Sequence, residues 1–140
     1  MSQTEDRTDI LMTAIAHLES GAFRAGQVAR RLMTEHPGLT VHRATCSTHS
    51  YGDTWGPVSG VPLLDLRADD LDGARAWATA LSTTLTLGTR EHSGSVFQYG
   101  DCEAAVDGVR VRVTGSRTLP EDEGAAWRAQ QTTAPEGGEG

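Results

Sequence analysis

Between Cys102 and Thr114, apolar and polar residues alternate with a period of two on either side of Asp107-Gly108, a pair suited to a two-residue hairpin turn. Both central residues of a type I′ turn take φ > 0, which Gly adopts freely and Asp tolerates. The turn dictates the register: Val106 opposite Val109, Ala104 opposite Val111, Cys102 opposite Val113. These six side chains share one face, predicted to be the core face. The other face holds Ala105 opposite Arg110 and Glu103 opposite Arg112, an opposite-charge cross-strand pair. An isolated hairpin is marginal in water, so other strands and a helix must cover it.

The covering helix is legible upstream. From Asp70 to about Thr83, Leu71, Ala74, Trp77, Ala78 and Leu81 fall on one helical stripe, while Asp72, Arg75, Thr79 and Ser82 fall on the opposite, solvent side. Asp69 or Asp70 is placed to cap it, and Asp72 puts negative charge in the first turn, where the helix dipole favours it. Near the N-terminus the helical period occurs twice. Ile10, Leu11, Ala14, Ile15 and Leu18 mark a helix over about Thr8 to Ser20, with Gly21 at the position of a left-handed cap. Ala22, Ala25, Val28, Ala29, Leu32 and Met33 mark a second one to Glu35, stopping before His36-Pro37-Gly38.

The rest of the chain reads as strands and loops. Leu39 to Cys46 and Val61 to Arg67 alternate as strands, the latter with Leu64 and Leu66 inward and Asp65 and Arg67 outward. Thr84 to Glu91 is a further strand, followed by a turn at His92-Ser93-Gly94. Ser95 to Tyr99 then either pairs back on it or leads into Cys102. Ser47 to Gly60, rich in Gly and Ser, is expected to be a long loop. The predicted fold class is α+β: a disordered N-terminus (1–7), an N-terminal helical pair (8–36), an antiparallel sheet in the order β-β-α-β-β-β covered by a helix (37–114), and a disordered acidic C-terminal tail (115–140).

Composition narrows the function classes. The 140 residues carry a net charge of −7, which argues against a general binder of nucleic acid or acidic membrane surfaces. All 12 basic residues are Arg. No window is long and apolar enough to span a membrane, and the polar, acidic start MSQTEDRTDI lacks the pattern of a secretory signal. A cytoplasmic protein with two free thiols, Cys46 and Cys102, is the expectation.

Three constellations bear on chemistry. The spacing His42-x3-Cys46-x2-His49, completed by Cys102 or His92, offers zinc a Cys and His ligand set, although it follows no standard zinc signature. The same residues would serve a Cys46 nucleophile with a His base. Arg24 and Arg31, seven apart on the second helix, share a face and would contact DNA if the helical pair were a helix-turn-helix. Tyr51 and Trp55, with His49, lie in the long loop and are suited to anchor a partner. No phosphate-binding loop, dinucleotide fingerprint or nucleophile elbow occurs.

The run from Asp72 to Leu81, DGARAWATAL, followed by DGVRVRV from Asp107 to Val113, resembles small α+β proteins of actinobacteria and their mobile elements. The resemblance covers residues 60–114 and implies no activity and no site residues. The expected function is therefore a non-enzymatic cytoplasmic binding or interaction domain, without a cofactor, whose partner is a protein or a small molecule. A metal-binding protein or enzyme centred on His42, Cys46 and His49 is the alternative. A DNA-binding accessory protein using Arg24 and Arg31 is another.

Overall fold

A computed structural model describes residues 3–48, 51–53, 56–59 and 61–139, with side chains described over 9–48 and 61–132. The chain runs α1 (Gln3–Glu35), β1 (Arg43–Ser47), β2 (Tyr51–Asp53), β3 (Gly56–Ser59), β4 (Leu63–Arg67), α2 (Leu71–Ala80), β5 (Thr86–His92), β6 (Ser95–Val106), β7 (Val109–Thr118) and α3 (Glu121–Glu139). It is an α+β fold around one five-stranded sheet of order β1-β4-β7-β6-β5, with β2 and β3 forming a separate two-stranded hairpin.

The Asp107-Gly108 turn sets the centre of the sheet. Asp107 has φ 50 and Gly108 φ 80, as a type I′ turn requires, and all five residue pairs read from the sequence are present between β6 and β7. The charges pair differently from the expectation of Glu103 with Arg112. Arg110 reaches diagonally to Glu103 at 3.0 and 3.1 Å, and Arg112 reaches diagonally to Asp101 at 3.1 Å. Each guanidinium thereby takes a carboxylate one row along, a reach long side chains have across a twisted ribbon. A second turn with φ > 0 at Ser93 and Gly94 joins β5 to β6, so Ser95 to Tyr99 pairs back on β5 and continues unbroken to Val106.

The sheet is mixed, not antiparallel. β4 runs parallel to β7, with Leu64 opposite Val111 and Leu66 opposite Val113; the Arg110 N–H donates to the Pro62 carbonyl at 2.9 Å and the Ala68 N–H to that of Thr114 at 2.8 Å. The cause is α2, which carries the chain from the end of β4 over the sheet to its far edge, where β5 begins. A parallel pair needs such a crossover.

α2 forms where its stripe places it. Asp70 caps it, its carboxylate accepting from the Gly73 N–H at 2.7 Å, and Leu71, Ala74, Trp77 and Ala78 are buried. The helix sits close on the sheet because Gly115 and Gly100 lie beneath it: a Cβ at Gly115 would come within 2.8 Å of the Ala74 Cβ. Trp77 is 1% exposed, and its indole N–H donates to the Thr40 carbonyl at 3.0 Å.

The expected helical pair is one helix. α1 passes through Gly21 without a break, since its buried positions Gly21, Ala25, Val28 and Leu32 follow a single stripe. Gly21 serves close approach, not capping: a Cβ there would overlap the Thr48 side chain. The 47–60 segment is not a plain loop either, because β2 and β3 pair within it and lie against α1.

Regular structure also continues past Gly115. β7 extends to Thr118, the Leu119 N–H donates to the Val96 carbonyl at 2.8 Å, and α3 begins at Glu121. α3 docks through Gly124, beside Val96, and through Arg128, which bonds Glu91 at 3.0 Å and the Gly94 carbonyl at 2.7 Å. This segment shows little hydrophobic period because its buried position is Gly124 and its one large apolar side chain is the half-buried Trp127. Deleting residues 120–140 uncovers Val96 and is expected to cost about 1–2 kcal/mol. A urea midpoint equal to that of the full chain would show that α3 contributes nothing to the domain.

Candidate functional site: the uncovered face of the sheet

The three helices lie on one side. Ala25, Val28 and Leu32 of α1 and Ala74, Trp77 and Ala78 of α2 share one buried cluster with Leu64, Leu66, Cys102, Val109, Val111 and Val113. Val96, beneath α3, falls on the same face by alternation along β6. Among the described residues no helix covers the other face, so its side chains are read directly from the registers.

Four of the rows on that face line the site. Arg43, Arg67, Thr114, Asp101 and Thr86 stand side by side on successive strands; next to them lie Thr45, Asp65, Arg112 and Glu103. On the other flank come Ser116, Tyr99 and Gly88, then Thr118, Phe97 and Arg90. Two adjoining hollows follow these rows. A larger one of about 830 Å³ is lined by Arg67, Arg90, Phe97, Tyr99, Arg112, Thr114 and Ser116, together with the acidic Glu91 and Asp101 and with His92. A smaller one of about 340 Å³ is lined by Arg43, Thr45, Asp65, Arg67, Arg112 and Thr114. Arg67, Arg112 and Thr114 belong to both.

The face is positive although the protein is acidic. Arg43, Arg67, Arg90, Arg110 and Arg112 stand against Asp65, Asp101 and Glu103. Arg110 and Arg112 are occupied by Glu103 and Asp101. Arg110 holds the Glu103 carboxyl below its usual range, chiefly by hydrogen bonding. Asp101 raises the Arg112 guanidinium, with Asp65 adding to the effect. Arg43, Arg67 and Arg90 have no carboxylate partner among the described residues, and Arg90 instead sits 4.9 Å from the centroid of the Tyr99 ring.

The structure disperses most of the residues proposed from sequence. Cys46 lies on edge strand β1 and is exposed, whereas Cys102 is buried on β6, three strand spacings or about 14 Å away. That separation rules out a disulfide or a shared metal between them. His42 stands beside β1 and His92 on the opposite edge, so neither completes a ligand set with Cys102. Among the described residues no group of three His, Cys, Asp or Glu side chains could hold a metal ion. Burial, and then neighbouring Asp101, push the Cys102 thiol up, which suits a core residue rather than a nucleophile.

Arg31 bonds Glu35 and Asp107, tying α1 to the hairpin turn, and the Arg24 guanidinium lies beside Gly108. The helix-turn-helix premise of the DNA-contact reading of Arg24 and Arg31 is absent, since α1 is a single helix, and Arg31 is engaged by Glu35 and the hairpin turn. Tyr51 lies in β2; its side chain, with His49 and Trp55, falls outside the described residues.

Sequence reading did not find the arginine face. Its members lie on four strands, and the outward positions Arg67, Arg110 and Arg112 become neighbours only through the β4–β7 pairing. The available signal was the alternation itself, which places Arg at outward positions strand after strand. Compared with protein-family models, with curated proteins and with solved structures, the chain matches none. No helix among the described residues is long and apolar enough to cross a membrane.

Proposed function

We propose that this chain is a non-enzymatic binding domain whose uncovered sheet face takes an anionic partner. One observation carries the reading: in a protein of net charge −7, Arg43, Arg67 and Arg90 stand without carboxylate partners on the face that no described helix covers. Like-signed guanidinium groups on adjacent strands repel one another, and a bound anion relieves that repulsion while gaining charge-assisted hydrogen bonds. The Thr45, Thr114 and Ser116 hydroxyls between them add neutral donors. The protein or small-molecule partner expected from the sequence is thereby narrowed to one that carries negative charge.

Retention on heparin-agarose, a sulfated polyanion, tests the reading. The wild type is expected to be retained at low salt and released as salt rises. Arg43→Glu with Arg67→Glu should pass through unretained, whereas Arg30→Glu with Arg75→Glu, the same charge change on exposed helix positions, should still be retained. Equal loss in both double variants would show that net charge alone is at work, and the proposal would fail.

A further inference from the structure

We infer that the anionic group is a phosphate attached to a planar ring, that is, a nucleotide, free or within a single strand, with its ring stacked on Phe97 and on the Arg90 guanidinium that lies over Tyr99. This rests on the anion-binding reading above and adds to it the second component of the larger hollow. A bare phosphate or an acidic peptide needs only the arginines; the half-buried Phe97 ring beside Arg90 is unexplained by either.

Phe97 and Tyr99 are two residues apart on β6, so their rings project from the same face about 7 Å apart. Both are half-buried and stand away from the helices that hold the core. Tyr99 is pinned in place. Its ring lies over Gly88 on the neighbouring strand, where a Cβ would come within 2.5 Å of ring carbon Cζ, and Arg90 covers it from the next row. Gly88 is thus required by the ring, and the ring with the Arg90 guanidinium on it is ordered before any ligand arrives, which lowers the entropic cost of stacking there.

Rings and charges share one hollow. Phe97 and Tyr99 stand on β6 and Arg67 on β4, with Thr114 and Ser116 of β7 between them. A ligand that spans them must carry a flat, polarisable end and an anionic end. Stacking is tolerant of which base is present, so the site reads ring and phosphate rather than sequence.

Fluorescence polarisation of a fluorescein-labelled ten-nucleotide oligothymidylate tests the inference, with AMP, unlabelled oligonucleotide and inorganic phosphate as competitors. The wild type is expected to bind and phosphate at equal concentration to compete poorly. Competition by AMP would support a free nucleotide as the ligand, and competition by the oligonucleotide alone a single strand. Phe97→Leu with Tyr99→Leu should weaken binding about tenfold while heparin retention stays as in the wild type. Should the double variant fail to fold by circular dichroism, Phe97→Leu alone carries the same test. Unchanged oligonucleotide affinity with the rings removed, or no binding of either nucleotide probe by wild type that heparin retains, would overturn the stacking proposal and leave the anion site standing. Loss of the arginine dependence on heparin would remove both.

Discussion

Val111→Asp is expected to leave the domain unfolded at neutral pH. Val111 is 0% exposed and lies between Leu64 on β4 and Ala104 on β6, with no polar group beside it in its row. An unpaired carboxylate there costs several kcal/mol, set against a total stability on the order of 5–15 kcal/mol. The pH dependence has a definite sign. Burial raises the carboxyl pKa in the folded state above its unfolded value, so the deficit is smallest in acid and grows as pH rises through the unfolded value. Urea midpoints at pH 4 and pH 7 measure this. Arg110→Gln, one position away and facing the other side, should cost less than about 1 kcal/mol. Similar midpoints for the two variants would mean that the assignment of faces is wrong.

Trp77→Ala should produce the second large loss, about 3–5 kcal/mol from the vacated volume. Trp77 is the largest of the fully buried side chains and sits at the middle of the α2 stripe. Trp77→Phe separates the two contributions, because it keeps most of the ring but leaves the Thr40 carbonyl without its donor. About 1 kcal/mol or more is expected for that variant. A Trp77→Ala variant with a near-wild-type midpoint would show that α2 is not the element that closes the core.

Legibility from the sequence followed the range of the interaction. The β6–β7 register is set by two residues at its turn, and the α2 cap by an Asp three residues before the N–H it accepts; both are local and both could be read. Gly21 could not be read correctly, because a helix-ending Gly and a Gly that admits Thr48 look alike in one dimension. The parallel pairing of β4 with β7 depends on how α2 crosses the sheet, which no short window encodes. That pairing assembles the candidate site. Arg67 and Arg112 were each placed outward by alternation, yet nothing in either strand says that the other is its neighbour. The partner anchors expected in the 47–60 segment had a compositional basis only, two aromatics among glycines, and composition does not place a surface.

The order in which the strands meet has a kinetic consequence. β5, β6 and β7 are joined by two-residue turns and can close as a meander, whereas Leu63 of β4 finds Arg110 of β7 across forty-seven positions of chain. Loop closure favours the local turns first, and the distant parallel pair is the slow event. A chain paused at the meander already holds Phe97, Tyr99, Arg90 and Arg112, but Arg67 and Arg43 arrive only with β4 and β1. Ligand capture at the proposed site would therefore mature later in refolding than the hairpin does, and a ligand bridging β4 to β7 would act as a clasp that slows unfolding rather than a template that speeds folding.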